Sequence, residues 1–304
     1  MVSGVASGIK RERRNGELEG MFYTERDVDF IRMAARWWCV TADLYLRYTE
    51  PRGLWLPEFT NDEQSEWYKK KYYNLRRRFN KLATIDRYAP LNAMMPQRGL
   101  TAYWCTPAGG ELIGAPWTQY PYGNISRGPH AWAACDIGMF LEERGVQVYS
   151  EREFARGETV DHHEVHGGKF VNAIEGSKSP NPDHGMRPDL AIPSALDGDD
   201  RFILLEVERK VGRGMKDYRR KMESYYAHDR VGALWYLVEN PVTAKNIKAL
   251  HEELAPLKRD MPVRVLRLNI NDRFYAQADA GLQSSVCAED LAMMGHTLST
   301  EGDE

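Results

Sequence analysis

The sequence has few cysteines, and the four it has do not pair. Cys39, Cys105, Cys135 and Cys287 lie far apart and form no C-x-x-C motif. That argues against a structural zinc site and a disulfide scaffold, and it favours a reducing, cytoplasmic setting. No run of ~18 apolar residues occurs, so no membrane span is expected. The first twenty residues, "MVSGVASGIKRERRNGELEG", lack the apolar core of a signal peptide. No G-x-x-x-x-G-K-[ST] is present, which removes the usual basis for ATP hydrolysis. Beyond Arg273 there is neither lysine nor arginine, whereas Glu289, Asp290, Glu301, Asp303 and Glu304 remain.

What is present is ordinary for a globular chain. Of 304 residues, 42% are hydrophobic and 28% charged, enough for two domains with their own cores. The net charge of −3 does not announce a nucleic-acid binder, but a whole-chain sum hides local patches.

Residues 1–20 read as a flexible basic arm carrying Lys10, Arg11, Arg13 and Arg14. From Thr24 the pattern becomes helical. "TERDVDFIRMAARWW" begins with a Thr cap, and Val28, Ile31, Ala35 and Trp38 recur at helical spacing. "TADLYLRYT" is a second helix. A third begins at Thr60, where Thr60 and Glu63 form a capping box. Its Tyr68, Tyr72, Leu75, Phe79 and Leu82 make one apolar stripe.

The other faces of this third helix carry Lys69, Lys70, Lys71, Arg76, Arg77, Arg78 and Lys81. Lys70, Arg77 and Lys81 fall opposite the stripe. Two strand-like pieces follow, "LATIDRYA" and "TAYWCTPAGGELI", joined by "PLNAMMPQRGL". Three helices and a hairpin are the order of a winged helix-turn-helix over residues 21–115. The third helix would enter the major groove of double-stranded DNA, and Arg98 in the wing would lie along the backbone. Lys69, Lys70, Arg76, Arg77, Lys81 and Arg98 are the candidate DNA contacts. A helical bundle with a solvated basic face is the plainer alternative.

Residues 116–128 are rich in Gly and Pro and read as a linker. The second unit, 129–272, runs helix, several strands, helix, strand, helix, strand. That order predicts an α/β sheet covered by helices, in a chain that is α+β overall. Residues 273–304 read as an acidic, partly disordered tail through which a protein partner would bind. A homodimer is compatible with the sequence.

The stretch "RPDLAIPSALDGDDRFILLEVERK" holds the candidate chemistry. Side chains alternate along a strand, so Phe202, Leu204, Glu206, Glu208 and Lys210 share one face. The turn "SALDGDD" makes a hairpin that brings Asp189 beside Glu206 or Glu208. Gathered carboxylates suit a hard cation such as Mg²⁺ or Mn²⁺, which can activate water at a phosphodiester. The alternative is a strand end emerging into solvent, with Glu208 and Lys210 as an exposed pair of little energetic weight.

At these residues the sequence resembles the PD-(D/E)XK nuclease superfamily. Pro188-Asp189 matches its "PD" and Glu208-Arg209-Lys210 its "(D/E)XK". A second register takes Glu206 as the first acid, with Lys221 on the next helix supplying the positive charge. Both registers stay open, and Glu151 and Glu153 are candidates for an additional acid. The chain also resembles the replication-relaxation family, which joins a winged helix to such a domain and includes one class of plasmid mobilisation relaxases. The matching stretches are "RRRFNKLATI…YWCTPAGGELI", "YSEREF", "RPDLAIP", "LLEVERK" and "YRRKMESYY".

The resemblance implies a metal-dependent DNA endonuclease or nickase acting on plasmid, conjugative-element or phage DNA. Asp189, Glu206 and Glu208 would be metal ligands, and Lys210 or Lys221 would position water. The alternative function is a DNA-binding transcriptional or replication regulator with a catalytically inactive nuclease fold. "DHHEVHGG" (161–168) reads as a solvated loop rather than a zinc site, Tyr225 as core, and His130 and His184 as capping or loop residues.

Overall fold

The computed structural model describes residues 9–12, 18–21, 23–37, 39–49, 62–83, 89–97, 100–114, 128–151, 153, 188–209, 214–257, 261–270, 276–278 and 285–297. The chain is a mixed α/β protein that divides into two compact units, Met1–Gly128 and Pro129–Glu304.

The first unit opens with a two-stranded antiparallel hairpin, β1 (Ile9–Glu12) and β2 (Leu18–Met21). The expected flexible arm is therefore partly ordered: Ile9 pairs with Met21 and Glu12 with Leu18. Helix α1 (Glu25–Trp37) starts where Thr24 and Asp27 cap each other, Thr24 N–H donating to Oδ2 at 2.8 Å and Asp27 N–H to Oγ1 at 3.2 Å. A short strand β3 (Val40–Thr41) leads into α2 (Ala42–Thr49), and Thr41 Oγ1 caps it by accepting from Leu44 N–H at 3.1 Å. Helix α3 spans Asp62–Ala83. Strands β4 (Leu91–Gln97) and β5 (Leu100–Cys105) form a hairpin, and β3 pairs with β5 on its other side.

This corrects the strand positions expected from sequence. "LNAMMPQ" is a strand rather than a connection. Pro96 has no N–H to give a ladder, but β4 is an edge strand, and its register shifts between Met94 and Gln97. "PAGGELI" is helix α4 (Pro107–Ile113) instead of strand, because Thr106 caps it and Pro107 supplies its first turn.

Four aromatic rings from four elements close the core of this unit. Phe30 of α1 stacks on Phe79 of α3, and Tyr45 of α2 and Tyr103 of β5 meet both edge-on. Leu75, Phe79 and Leu82 are buried, and Tyr68 and Tyr72 are half-buried beside them. A bidentate ion pair ties α3 to α1. Arg78 donates from Nε to Asp27 Oδ1 at 2.9 Å and from its terminal nitrogen to Oδ2 at 2.6 Å. Asp27 is fully buried, and burial would raise its pKa, but Arg78 and Thr24 hold it below the usual carboxylate range. Arg78→Ala would leave that carboxylate without its partner. The expected cost is roughly 3 kcal/mol, read as a lowered denaturant midpoint; an unchanged midpoint would mean that the pair does not clamp the two helices.

The second unit is built on one six-stranded sheet. Helix α5 (Gly128–Glu143) precedes β6 (Tyr149–Ser150), β7 (Leu190–Pro193) and β8 (Phe202–Glu208). Helix α6 (Met215–Tyr226) then connects to β9 (Val231–Val238), and α7 (Pro241–Leu254) connects to β10 (Val263–Ile270). Strand β11 (Ala276–Ala278) and helix α8 (Ser285–Met293) complete it. β8, β9 and β10 run parallel through helical crossovers, whereas β6, β7 and β11 pair antiparallel with their neighbours.

Alternation on β8 assigns its faces. Phe202 and Leu204 pack with Tyr218, Met222, Tyr225, Tyr226, Ile247 and Leu250, so α6 and α7 cover the face that also carries Glu206 and Glu208. Within the acidic C-terminal segment, residues 285–297 pack onto the second unit rather than forming a detached tail. Cys287, Leu291 and Met294 are buried, and buried Asp290 accepts from Trp235 Nε1 at 2.8 Å and from Arg264 at 2.7 and 3.0 Å. Its lack of lysine and arginine concealed an apolar helix face with one well-partnered carboxylate.

Candidate functional site

The site gathers at the β7–β8 hairpin. Leu190 pairs with Leu205 at the last rung of the antiparallel ladder, and Asp189, one residue earlier, donates its N–H to the Leu205 carbonyl at 3.0 Å, next to Glu206. Asp189 sits just before β7 and is held by two donors. His130, in the first turn of α5, bonds through Nε2 to Oδ1 at 2.8 Å, and Val207 N–H donates to Oδ2 at 2.7 Å. Burial alone would raise the pKa of Asp189. His130, Lys221 and the Val207 N–H outweigh it and hold the carboxyl at about 2.

Glu206 is 1% exposed on the face under α6. Tyr225 donates its hydroxyl to Oε1 at 2.5 Å, and Lys221 pairs with Oε2. Lys221 and Tyr225 are four residues apart, so one helical face delivers both. Burial pushes Glu206 up, Lys221 offsets part of this, and the negative Asp189 adds to it, leaving the carboxyl at about 7. The same surroundings push the Tyr225 phenol well above its ordinary range, burial first and Glu206 next. Glu208 is also buried, and Tyr218 donates to its Oε2 at 3.1 Å.

Sequence-predicted residues thus divide. Asp189, Glu206 and Lys221 come together, and Glu208 joins them on the same strand face but is turned to Tyr218. Lys210 lies outside the described residues, as do Arg98, His184 and the 161–168 loop. Glu153 is buried and caps a turn, accepting from Ser150 N–H at 2.9 Å. Glu151 is half-buried, and its charge reaches His130.

His130 is where sequence reading failed. Assigned to a loop or cap, it lies instead against Asp189, from which it is separated by 59 residues of chain. Burial lowers its pKa, but Asp189, with Glu151 and Glu208, raises it more. A raised histidine pKa contributes stability that is present below the unfolded value, about 6.5, and lost as pH rises through the folded value. His130→Ala should therefore destabilise the protein more at about pH 6 than at about pH 9 in urea unfolding. Equal losses at both would contradict the pairing. Tyr218 and Tyr225 were also missed as site residues. Their stripe reads as core, and the available cue was that a buried tyrosine hydroxyl needs a partner.

The donor set can be tested against a hard divalent cation. Among the described residues, no group of three or more His, Cys, Asp or Glu side chains is arranged to hold a metal. Mg²⁺ does not require one, because it keeps several waters and commonly takes one or two carboxylates together with substrate phosphates. Each oxygen of Asp189 and Glu206 accepts one hydrogen bond and retains further lone-pair capacity. Two neighbouring carboxylates, Glu206 buried and reluctant to ionise and Asp189 half-buried, fit such an ion in chemistry and in number.

The basic helix of the first unit is arranged differently from its sequence count. Arg78 is committed to Asp27, Lys71 lies over the Trp67 ring at 5.0 Å, and Lys69 pairs with Glu66 at 2.8 Å. Arg76 is half-buried, with its backbone carbonyl accepting from Tyr103. Lys69, Lys70, Arg77 and Lys81 are exposed. No protein-family model, curated protein or solved structure matches this chain. Among the described residues, no helix is long and apolar enough to cross a membrane.

Proposed function

We propose that the chain is a DNA-binding protein with a metal-dependent endonuclease or nickase centre, relaxase-like in kind, acting on plasmid, conjugative-element or phage DNA. The observation that carries this reading is the junction of Asp189, Glu206 and Lys221 at one end of the β7–β8 hairpin. It fits the PD-(D/E)XK arrangement in the register that takes Glu206 as first acid and Lys221 as the lysine. The first unit, in which helices α1–α3 precede the β4–β5 hairpin, is read as a winged helix whose α3 enters the major groove.

Asp189 and Glu206 would hold the ion, with Glu208 nearby on the same face. When bound, Mg²⁺ or Mn²⁺ supplies positive charge at the phosphate and lowers the pKa of water. The chain's own groups set the geometry. His130 and the Val207 N–H fix the Asp189 carboxylate, and Tyr225 fixes Glu206. Lys221 is mostly buried and aimed at Glu206, where its ammonium can orient water or neutralise charge on the phosphorane-like transition state.

The second reading is a transcriptional or replication regulator with an inactive nuclease fold. It is favoured by the hydrogen bonds already taken by every oxygen of Asp189 and Glu206, which leave the centre satisfied without an ion. Supercoiled DNA incubated with the protein and Mg²⁺ or Mn²⁺ separates the two. Nicked circles that disappear with a chelator are expected. Binding with no nicking under either ion would leave the regulator reading.

A further inference from the structure

The solvent face of α3 holds a pattern beyond its charge. Lys70, Tyr73, Asn74, Arg77 and Lys81 are all exposed, Tyr73 by 62%. At about 100° per residue, Lys70, Asn74, Arg77 and Lys81 fall within a sector of about 60°, and Tyr73 borders it. Leu75, Phe79 and Leu82 occupy the opposite face and are buried, so this stripe is the part of the helix farthest from the core.

The stripe has cations at both ends and a hydrogen-bonding pair between them. From Lys70 to Lys81 it runs about 16 Å, at ~1.5 Å per residue. A DNA major groove is about 12 Å wide. A helix laid across it brings the two terminal lysines toward the two phosphate backbones and leaves the middle over the base edges. The middle residues have the chemistry that base edges select: asparagine matches the N6–H and N7 of adenine, and arginine matches the O6 and N7 of guanine. Asn74 and Arg77 are separated by about 4.5 Å along the axis, against ~3.4 Å per base pair. An A-form RNA duplex has a major groove too narrow for side chains to read, so duplex DNA is the favoured occupant.

We infer that Asn74 and Arg77 are the specificity-determining residues of the first unit, reading an adenine and a guanine on adjacent or next-adjacent base pairs. Lys70 and Lys81 hold the flanking phosphates. The inference rests on the reading of α3 as the DNA-contacting helix.

Selection of a randomised DNA duplex library by the full-length protein tests it. The wild type should return a short consensus containing an adenine and a guanine no more than about two base pairs apart. Asn74→Ala should erase the preference at the adenine alone. Arg77→Lys should keep the charge but lose the guanine preference, because a lysine cannot form the bidentate fork. Both positions are exposed, so thermal midpoints should not move, and that measurement controls for folding. A consensus unchanged in both variants, with duplex binding intact, would overturn the inference while leaving the DNA reading standing. Failure to bind any DNA duplex, or stronger binding to duplex RNA, would overturn both.

Discussion

Asp189→Asn is expected to reduce Mg²⁺-dependent nicking by about 10³-fold while DNA binding stays within a few-fold of wild type. The substitution keeps the side chain's size and leaves an oxygen that can still accept one hydrogen bond. It removes the negative charge that burial opposes and that His130, Lys221 and the Val207 N–H sustain. Without that charge the hairpin offers a cation only the buried Glu206, with Glu208 turned away toward Tyr218. The asparagine amide also cannot accept from both His130 and Val207 N–H as the carboxylate does. Lys221→Met should lower the rate by a smaller factor, about 10²-fold, because it removes an orienting charge and leaves both acids in place. Activity that survives Asp189→Asn would mean that the catalytic atoms lie elsewhere. Loss of folding is checked by the thermal transition, which should move down as the contacts to His130 and the Val207 N–H weaken but stay cooperative.

The second large effect concerns α3. Replacing Lys70, Arg77 and Lys81 together by alanine is expected to weaken DNA binding by at least about 100-fold at moderate salt. The three side chains are exposed and lie on one line. The slope of log affinity against log salt should fall by about two, because the two phosphates left by Lys70 and Lys81 keep their condensed counterions, while Arg77 is lost from a base edge. A matched change at Lys69, Lys71 and Arg76, off this line, should weaken binding far less. If the two triple variants lost affinity equally, the exposed stripe would have no special role, and general positive charge would account for binding.

Much of the second unit was legible because β-strand alternation is a strict period. "RFILLEVERK" placed Glu206 and Glu208 on one face, and the "SALDGDD" turn with its Gly198 at φ +77° brought the segment of Asp189 alongside that strand. Helix α6 was legible as a stripe, with Lys221 flanking it as the lysine of one of the two open registers; the packing of α6 over β8 pairs Lys221 with Glu206, and the hydroxyls of Tyr218 and Tyr225 were the part not read.

His130 was invisible because its partner is remote in sequence and a histidine near a helix start has many local uses. The strands of the first unit were misplaced for a local reason: Asn92 and Pro96 look like loop residues, and an edge strand tolerates both. The C-terminal helix was missed because charge counting carries no information about which face is apolar. There, Cys287 and Leu291 bury themselves while Glu289 stays exposed.

The claim on which the rest depends is that Asp189 and Glu206 form a cation site. Calorimetric titration of the full-length protein with Mn²⁺, in parallel for wild type and Asp189→Asn, tests it without relying on cleavage. A saturable heat in the wild type that disappears in the variant is the predicted result. No saturable heat in the wild type, or the same heat in both proteins, would contradict it.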